Sequence, residues 1–207
     1  MSRPMTVAER QAVRARLLRA GRELFARYGL KKTTVEELAQ AAGVAKGTFY
    51  LFFPSKEALY GQVLLDEVPR LVARLVERSF GATPDIREAL VRFQEEVVAL
   101  IESDEIVRVL AADPHQPAEL LEGHLDLQEF QARAMEALRP LFSCIRTAQQ
   151  EGQIVGGDIA EIFAVLGVIK LVAYYRKHIA PDLYPRLVKR LSRVIADGLT
   201  CPAGTKT

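Results

Sequence analysis

Residues 29–59, GLKKTTVEELAQAAGVAKGTFYLFFPSKEAL, decide how this chain folds. Thr33 and Thr34 precede an apolar-periodic run. Glu36 and Glu37 each follow one of them by three residues, so either register forms a capping box. Val35, Leu38, Ala39 and Ala42 then share one helical face. Gly43 supplies the left-handed residue that ends this helix. A second apolar set, Val44, Phe49 and Phe52, predicts a helix from Ala45 to Phe53 that packs Phe49 and Phe52 inward. Pro54 stops it, because the residue before a proline is pushed out of helical geometry. Two short helices joined by a tight glycine turn make a helix-turn-helix.

Upstream, Val13, Leu17, Ala20, Leu24, Phe25 and Tyr28 recur at three and four, an amphipathic helix from Thr6 to Tyr28 with Gly29 as its C-terminal cap. The opposite face carries Arg10, Arg14, Arg16, Arg19, Arg22 and Arg27, a solvated surface able to meet phosphates. Downstream, Ser55 caps a helix through Leu59, Val63, Leu64 and Val68, and Pro69 within it predicts a kink. GATPD at 81–85 breaks the chain. Helices are then predicted at 86–102, 103–112 and 118–151, the last kinked or split at Pro140. Asp158 caps an apolar helix from Ile159 to Ile179, and a final helix runs from Leu183 to Leu199. Strand-like alternation between hairpin turns is absent from the sequence. The expectation is an all-α fold of about nine helices.

Net charge is only +2, yet 11 of the 28 Lys and Arg and 5 of the 26 Asp and Glu fall in residues 1–60. That excess of +6, against −4 for the remainder, places a basic head on a mildly acidic body and points to a polyanionic partner. Two cysteines, Cys144 and Cys201, are too few for a disulfide framework or a cysteine zinc site, and fit a reducing cytosol. The apolar run 162–175 is short for a membrane span and contains Lys170. It reads as a buried helix of a soluble, cytoplasmic protein. His115, Glu122, His124 and Asp126 are read as surface rather than as metal ligands, and no cofactor is expected. Cys144 reads as a buried thiol, with oxidant sensing as the alternative. No nucleophile elbow, phosphate loop or HExxH is present, which argues against an enzyme.

Thirteen positions (Gly29, Thr34, Val35, Leu38, Val44, Gly47, Phe49, Tyr50, Phe52, Phe53, Ser55, Lys56 and Leu59) closely resemble the pattern of the TetR family of bacterial transcriptional regulators. The resemblance covers about the first third of the chain. It implies a three-helix DNA-binding domain, 6–54, and a helical regulatory domain, 55–200. A helix-turn-helix places its second helix in the major groove, where all four base pairs differ. Lys46, Gly47, Thr48, Tyr50 and Leu51 are then expected to face DNA, with Thr33, Thr34 and Lys56 clamping the backbone on either side. Ala45 stands where the family often has a capping Ser or Thr, and Leu51 where it is often polar.

The family also implies a homodimer, here through the segments from Ile159 to Ile179 and from Leu183 to Leu199, reading a roughly palindromic operator. It further implies a small apolar effector held in the body, with Phe93, Val97, Phe130, Phe142 and Tyr174 as candidate ligand-binding residues. The expected function is a ligand-released repressor. The alternative is a DNA-binding architectural or co-regulator protein without a small-molecule ligand.

Overall fold

The computed structural model describes residues 5–104, 107 and 126–200, and within them regular structure is helical apart from one isolated bridge between Ile154 and Thr200. The helices are α1 (Val7–Lys32), α2 (Val35–Ala41), α3 (Lys46–Tyr50), α4 (Lys56–Arg78), α5 (Ile86–Ser103), α6 (Leu127–Gln150), α7 (Ile159–Gly167), α8 (Ile169–Tyr174) and α9 (Leu183–Leu199), with a 3₁₀ turn at Tyr175–His178. No helix among the described residues is long and apolar enough to cross a membrane. Most of the helix expected at 103–112, and the residues His115, Glu122 and His124, lie outside the described residues. Asp126 lies within them, and its carboxylate accepts from the Gln128 and Glu129 N–H groups at the start of α6. It is a helix cap.

The described residues form two compact units, 5–67 with 126–134, and 68–104 with 107 and 135–200. In the first, α1 buries Val13, Leu17, Ala20 and Phe25 as its periodicity requires, while Tyr28 is exposed. Phe25 meets Tyr60 of α4 edge-on, centroids 5.1 Å apart. A Cβ added at Gly21 would lie 3.1 Å from the Leu59 side chain, so a glycine lets α4 approach α1 closely. Ala58, Leu59, Val63 and Leu64 are consequently buried. These contacts make the beginning of α4 part of the first unit, which runs to Glu67.

In the second unit one cluster joins Leu90, Phe93, Leu141, Ile145, Ile162, Leu166 and Ala196, and another joins Val98, Ile101, Ile169, Ala173, Tyr184 and Val188. α5 supplies both, and α9 packs along it. Gln94, fully buried on α5, donates to the carbonyl oxygens of Leu90 and Ser192 at 3.1 Å each.

α4 and α6 each contain their proline, Pro69 and Pro140, without being divided into two helices. Both prolines are exposed, so each interrupts the hydrogen-bond ladder on a face that meets water. The helix expected from Ile159 to Ile179 is divided instead. Val168 donates to Val165 and Leu171 donates to Val168, bonds that span three residues rather than four. This tight turn follows Gly167, a poor helix former, and the segment then closes in the 3₁₀ turn ahead of Pro181. Nor is the segment a wholly buried helix. Ile162, Leu166, Ile169 and Ala173 point inward, whereas Val165, Val168, Leu171 and Tyr175 point outward.

Gly43 joins α2 to α3 with φ +65°, a conformation that costs any residue with a Cβ. Gly43→Ala is expected to destabilise the protein by about 1 kcal/mol, measured as a lowered midpoint of thermal unfolding by circular dichroism.

Candidate nucleic-acid interface

Gly29, at φ +75° and ψ 165°, ends the straight part of α1 and swings one further turn, residues 30–32, out of line. Thr33 closes that bend. Its hydroxyl donates to the Gly29 carbonyl at 2.8 Å and its side chain is fully buried, so it neither caps α2 nor reaches the surface as a phosphate contact. Thr34 is the cap. Its hydroxyl accepts from the Glu37 N–H at 3.2 Å, and the Glu37 carboxylate accepts from the Thr34 N–H at 2.8 Å. Between the two registers open in the sequence, packing of Thr33 against the bend selects the second. Donation to this carboxylate, first from the Thr34 N–H and then from the Thr34 hydroxyl at 2.8 Å, holds the Glu37 carboxyl below the usual carboxylate range.

α3 is five residues long and begins at Ala45, which contributes no side-chain cap. Phe49 is fully buried beneath it. Phe53, whose N–H bonds the Phe49 carbonyl at 3.0 Å, is the second buried ring, 6.1 Å from Phe49 between centroids. Phe52, expected inward, is half-buried under the Arg10 guanidinium. One helical turn separates Phe49 from Phe53, so that pair stacks inward and Phe52 is rotated away. Arg10 over Phe52 (5.2 Å) and Arg14 over Phe53 (5.7 Å) thus bind α1 to the end of α3 by cation–π contact.

Lys46, Gly47, Tyr50 and Leu51 are exposed on one side of the motif, with Thr48 half-buried beside them. Lys46 pairs with Glu36 of α2, and that ammonium holds the Glu36 carboxyl below its usual range. Gly47 has open space where a Cβ would stand. Nothing among the described residues therefore requires glycine at this helical position, although glycine costs a helix about 1 kcal/mol relative to alanine.

Lys56 has a role that sequence reading missed. Its ammonium donates to the carbonyl oxygens of Leu30 and Thr33, 2.9 Å each, tying the bent end of α1 to the start of α4. Beside it a hollow of about 360 Å³ is lined by Lys31, Thr34, Tyr50, Ser55 and Lys56, among others. A helix start flanked by lysines and a tyrosine hydroxyl is chemically suited to a phosphate group.

Of the candidate ligand-binding residues, Phe93 lies in one body core cluster with Val97 packed against it, and Phe163 meets both Phe93 and Phe142 edge-on, at 6.5 and 4.6 Å. Tyr174 lines a separate hollow at the end of α8, and Phe130 belongs with the first unit. Cys144 is half-buried, and burial pushes its thiol up, which disfavours the reactive thiolate.

A basic all-α head that presents a short, glycine-bearing second helix defines a helix-turn-helix DNA-binding protein. Residues 17–63 match the model of the "Bacterial regulatory proteins, tetR family". The HTH-type transcriptional regulator UidR of Escherichia coli (strain K12) is 30% identical over 151 residues, which cover 70% of this chain and 71% of UidR. The solved structure of a putative TetR-family regulator from Vibrio parahaemolyticus aligns with TM-score 0.67 at 17% identity, over 92% of this chain and all (100%) of that one. RolR, solved in complex with resorcinol, aligns with TM-score 0.61 at 19% identity, over 95% of this chain and 99% of RolR. The chain belongs to the TetR family. It is a DNA-binding transcriptional regulator rather than an enzyme.

Two substitutions separate folding from docking. Gly47→Ala is expected to raise stability by about 0.5–1 kcal/mol while weakening DNA binding, measured by thermal unfolding and by fluorescence anisotropy on labelled duplex. Lys56→Met is expected to lower stability by about 1–2 kcal/mol through loss of charge-assisted bonds, and to weaken binding to specific and random duplexes alike.

Proposed function

We propose that this protein is a homodimeric repressor that binds a roughly palindromic operator and is released by a small-molecule effector. Lys46, Thr48, Tyr50 and Leu51 would read or flank the major groove, Gly47 would admit close backbone approach, and Thr34 and Lys56 would border the phosphate contacts. One head with so short a reading helix makes few base contacts. Two heads on a twofold axis double them and fix the half-site spacing.

The observation that carries the dimer is the outward apolar stripe of α7 and α8. Val165, Val168, Leu171 and Tyr175 follow one another at three and four residues, and Leu171 and Tyr175 are 52% and 63% exposed. On α9, Val194 is 60% exposed. Contiguous exposed aliphatic surface of this kind marks an interaction site. A second copy offers the same stripe by symmetry, so the face is self-complementary. Effector release is supported by the body's capacity for a ligand and by the resorcinol-bound relative RolR.

The test is selection of bound sites from random duplexes. Enrichment of an inverted repeat is the expected result; enrichment of a single unrepeated site, or of nothing, counts against the reading. In parallel, Leu171→Glu is expected to turn a sedimenting dimer into a monomer and to weaken binding to the selected repeat at least tenfold, with helical content unchanged.

A further inference from the structure

At the C-terminal end of α5, a partly open hollow of about 710 Å³ lies against α8 and the 3₁₀ turn. This is within the 300–1,000 Å³ typical of small-molecule sites. Its apolar wall includes Ile101, Tyr174 and Ile179, and three charged residues reach it: Glu102, Arg176 and Lys177. Two of these cancel. Arg176 pairs with Glu102 at 3.0 Å and lies over the Tyr184 ring at 5.3 Å, so its guanidinium is held by an anion on one side and a π face on the other. Tyr184 is itself buried, and its phenol is pushed up to about 12 by that burial and then by the neighbouring Glu102, so it stays neutral. Lys177 has no ion-pair partner among the described residues. Among the described residues the hollow therefore presents a greasy wall with one ammonium that has no ion-pair partner.

From this we infer that the hollow binds a small amphipathic organic anion, with its apolar body on Ile101, Tyr174 and Ile179 and its carboxylate on Lys177. A neutral ligand of the same shape would leave the ammonium unused. A cation would be repelled by Lys177 while finding Glu102 already occupied by Arg176. Arg176, held by its two partners, leaves Lys177 to carry the preference for an anion. As the class of effector, this inference rests on the effector reading above; as a binding site it stands alone.

The experiment titrates the full-length protein calorimetrically with phenylacetate, 4-phenylbutyrate and decanoate, each against its primary amide. At least one carboxylate is expected to bind, at least tenfold tighter than its amide. Lys177→Gln should abolish that preference, and Lys177→Arg should restore it. Binding of no carboxylate overturns the inference, as does equal binding of acid and amide. So does an acid preference that survives Lys177→Gln, since the anion would then sit elsewhere. The bound acid is also added to the complex with the selected operator. Lys177-dependent binding that leaves DNA affinity unchanged upholds the site and refutes its role as effector. Release of DNA by another compound, with no carboxylate bound, does the reverse.

Discussion

A helix of five residues has no stability of its own in water, because nucleating a turn costs more than so few hydrogen bonds return. α3 is such a helix, without even a side-chain cap at Ala45. Its existence depends on burying Phe49 and Phe53 and on the surfaces that receive them. α2 supplies one surface, and the Gly43 turn holds the two helices together. α1 supplies another, with Arg10 and Arg14 lying over the rings that end the motif. The reading helix is thus a product of its neighbours, and of its outer side chains Lys46 is paired with Glu36 of α2.

The same dependence explains why α4 starts where it does. Lys56 bonds two carbonyl oxygens at the bent end of α1, and the next turns bury Ala58, Leu59, Val63 and Leu64. Holding that bend also holds Thr33 and the start of α2. A lysine read only as a phosphate contact is thereby a brace for the surface on which phosphate would sit. The two roles are compatible, since both gather around one hollow that Tyr50 and Ser55 share.

In the second unit the division of labour runs along the helix faces. Ile162, Leu166, Ile169 and Ala173 enter the core, and the residues between them present aliphatic surface outward. At the far end of α5, charge is the sorting principle. Glu102 and Arg176 pair with each other, and among the described residues that line the hollow Lys177 has no ion-pair partner.

Much of this was legible from spacing. The helix-turn-helix, the all-α class, the stripe of α5 and the span of α9 follow from periods of three and four, from caps and from glycines, because these are local properties of consecutive residues. Choices between equivalent local options were not legible. Thr33 and Thr34 offer the same capping box, and only burial of Thr33 against Gly29 chooses between them. Phe52 and Phe53 are the same ring at adjacent positions, and the turn that places Phe53 over Phe49 decides which goes inside. The break at Val168, the carbonyl partners of Lys56 and the pairing of Glu102 with Arg176 depend on residues distant in the chain. Sequence alone determined the all-α class, the helix-turn-helix and the family they point to. Tertiary structure decided which side chains remain free to act, because that freedom is what is left once long-range packing and pairing have claimed their partners.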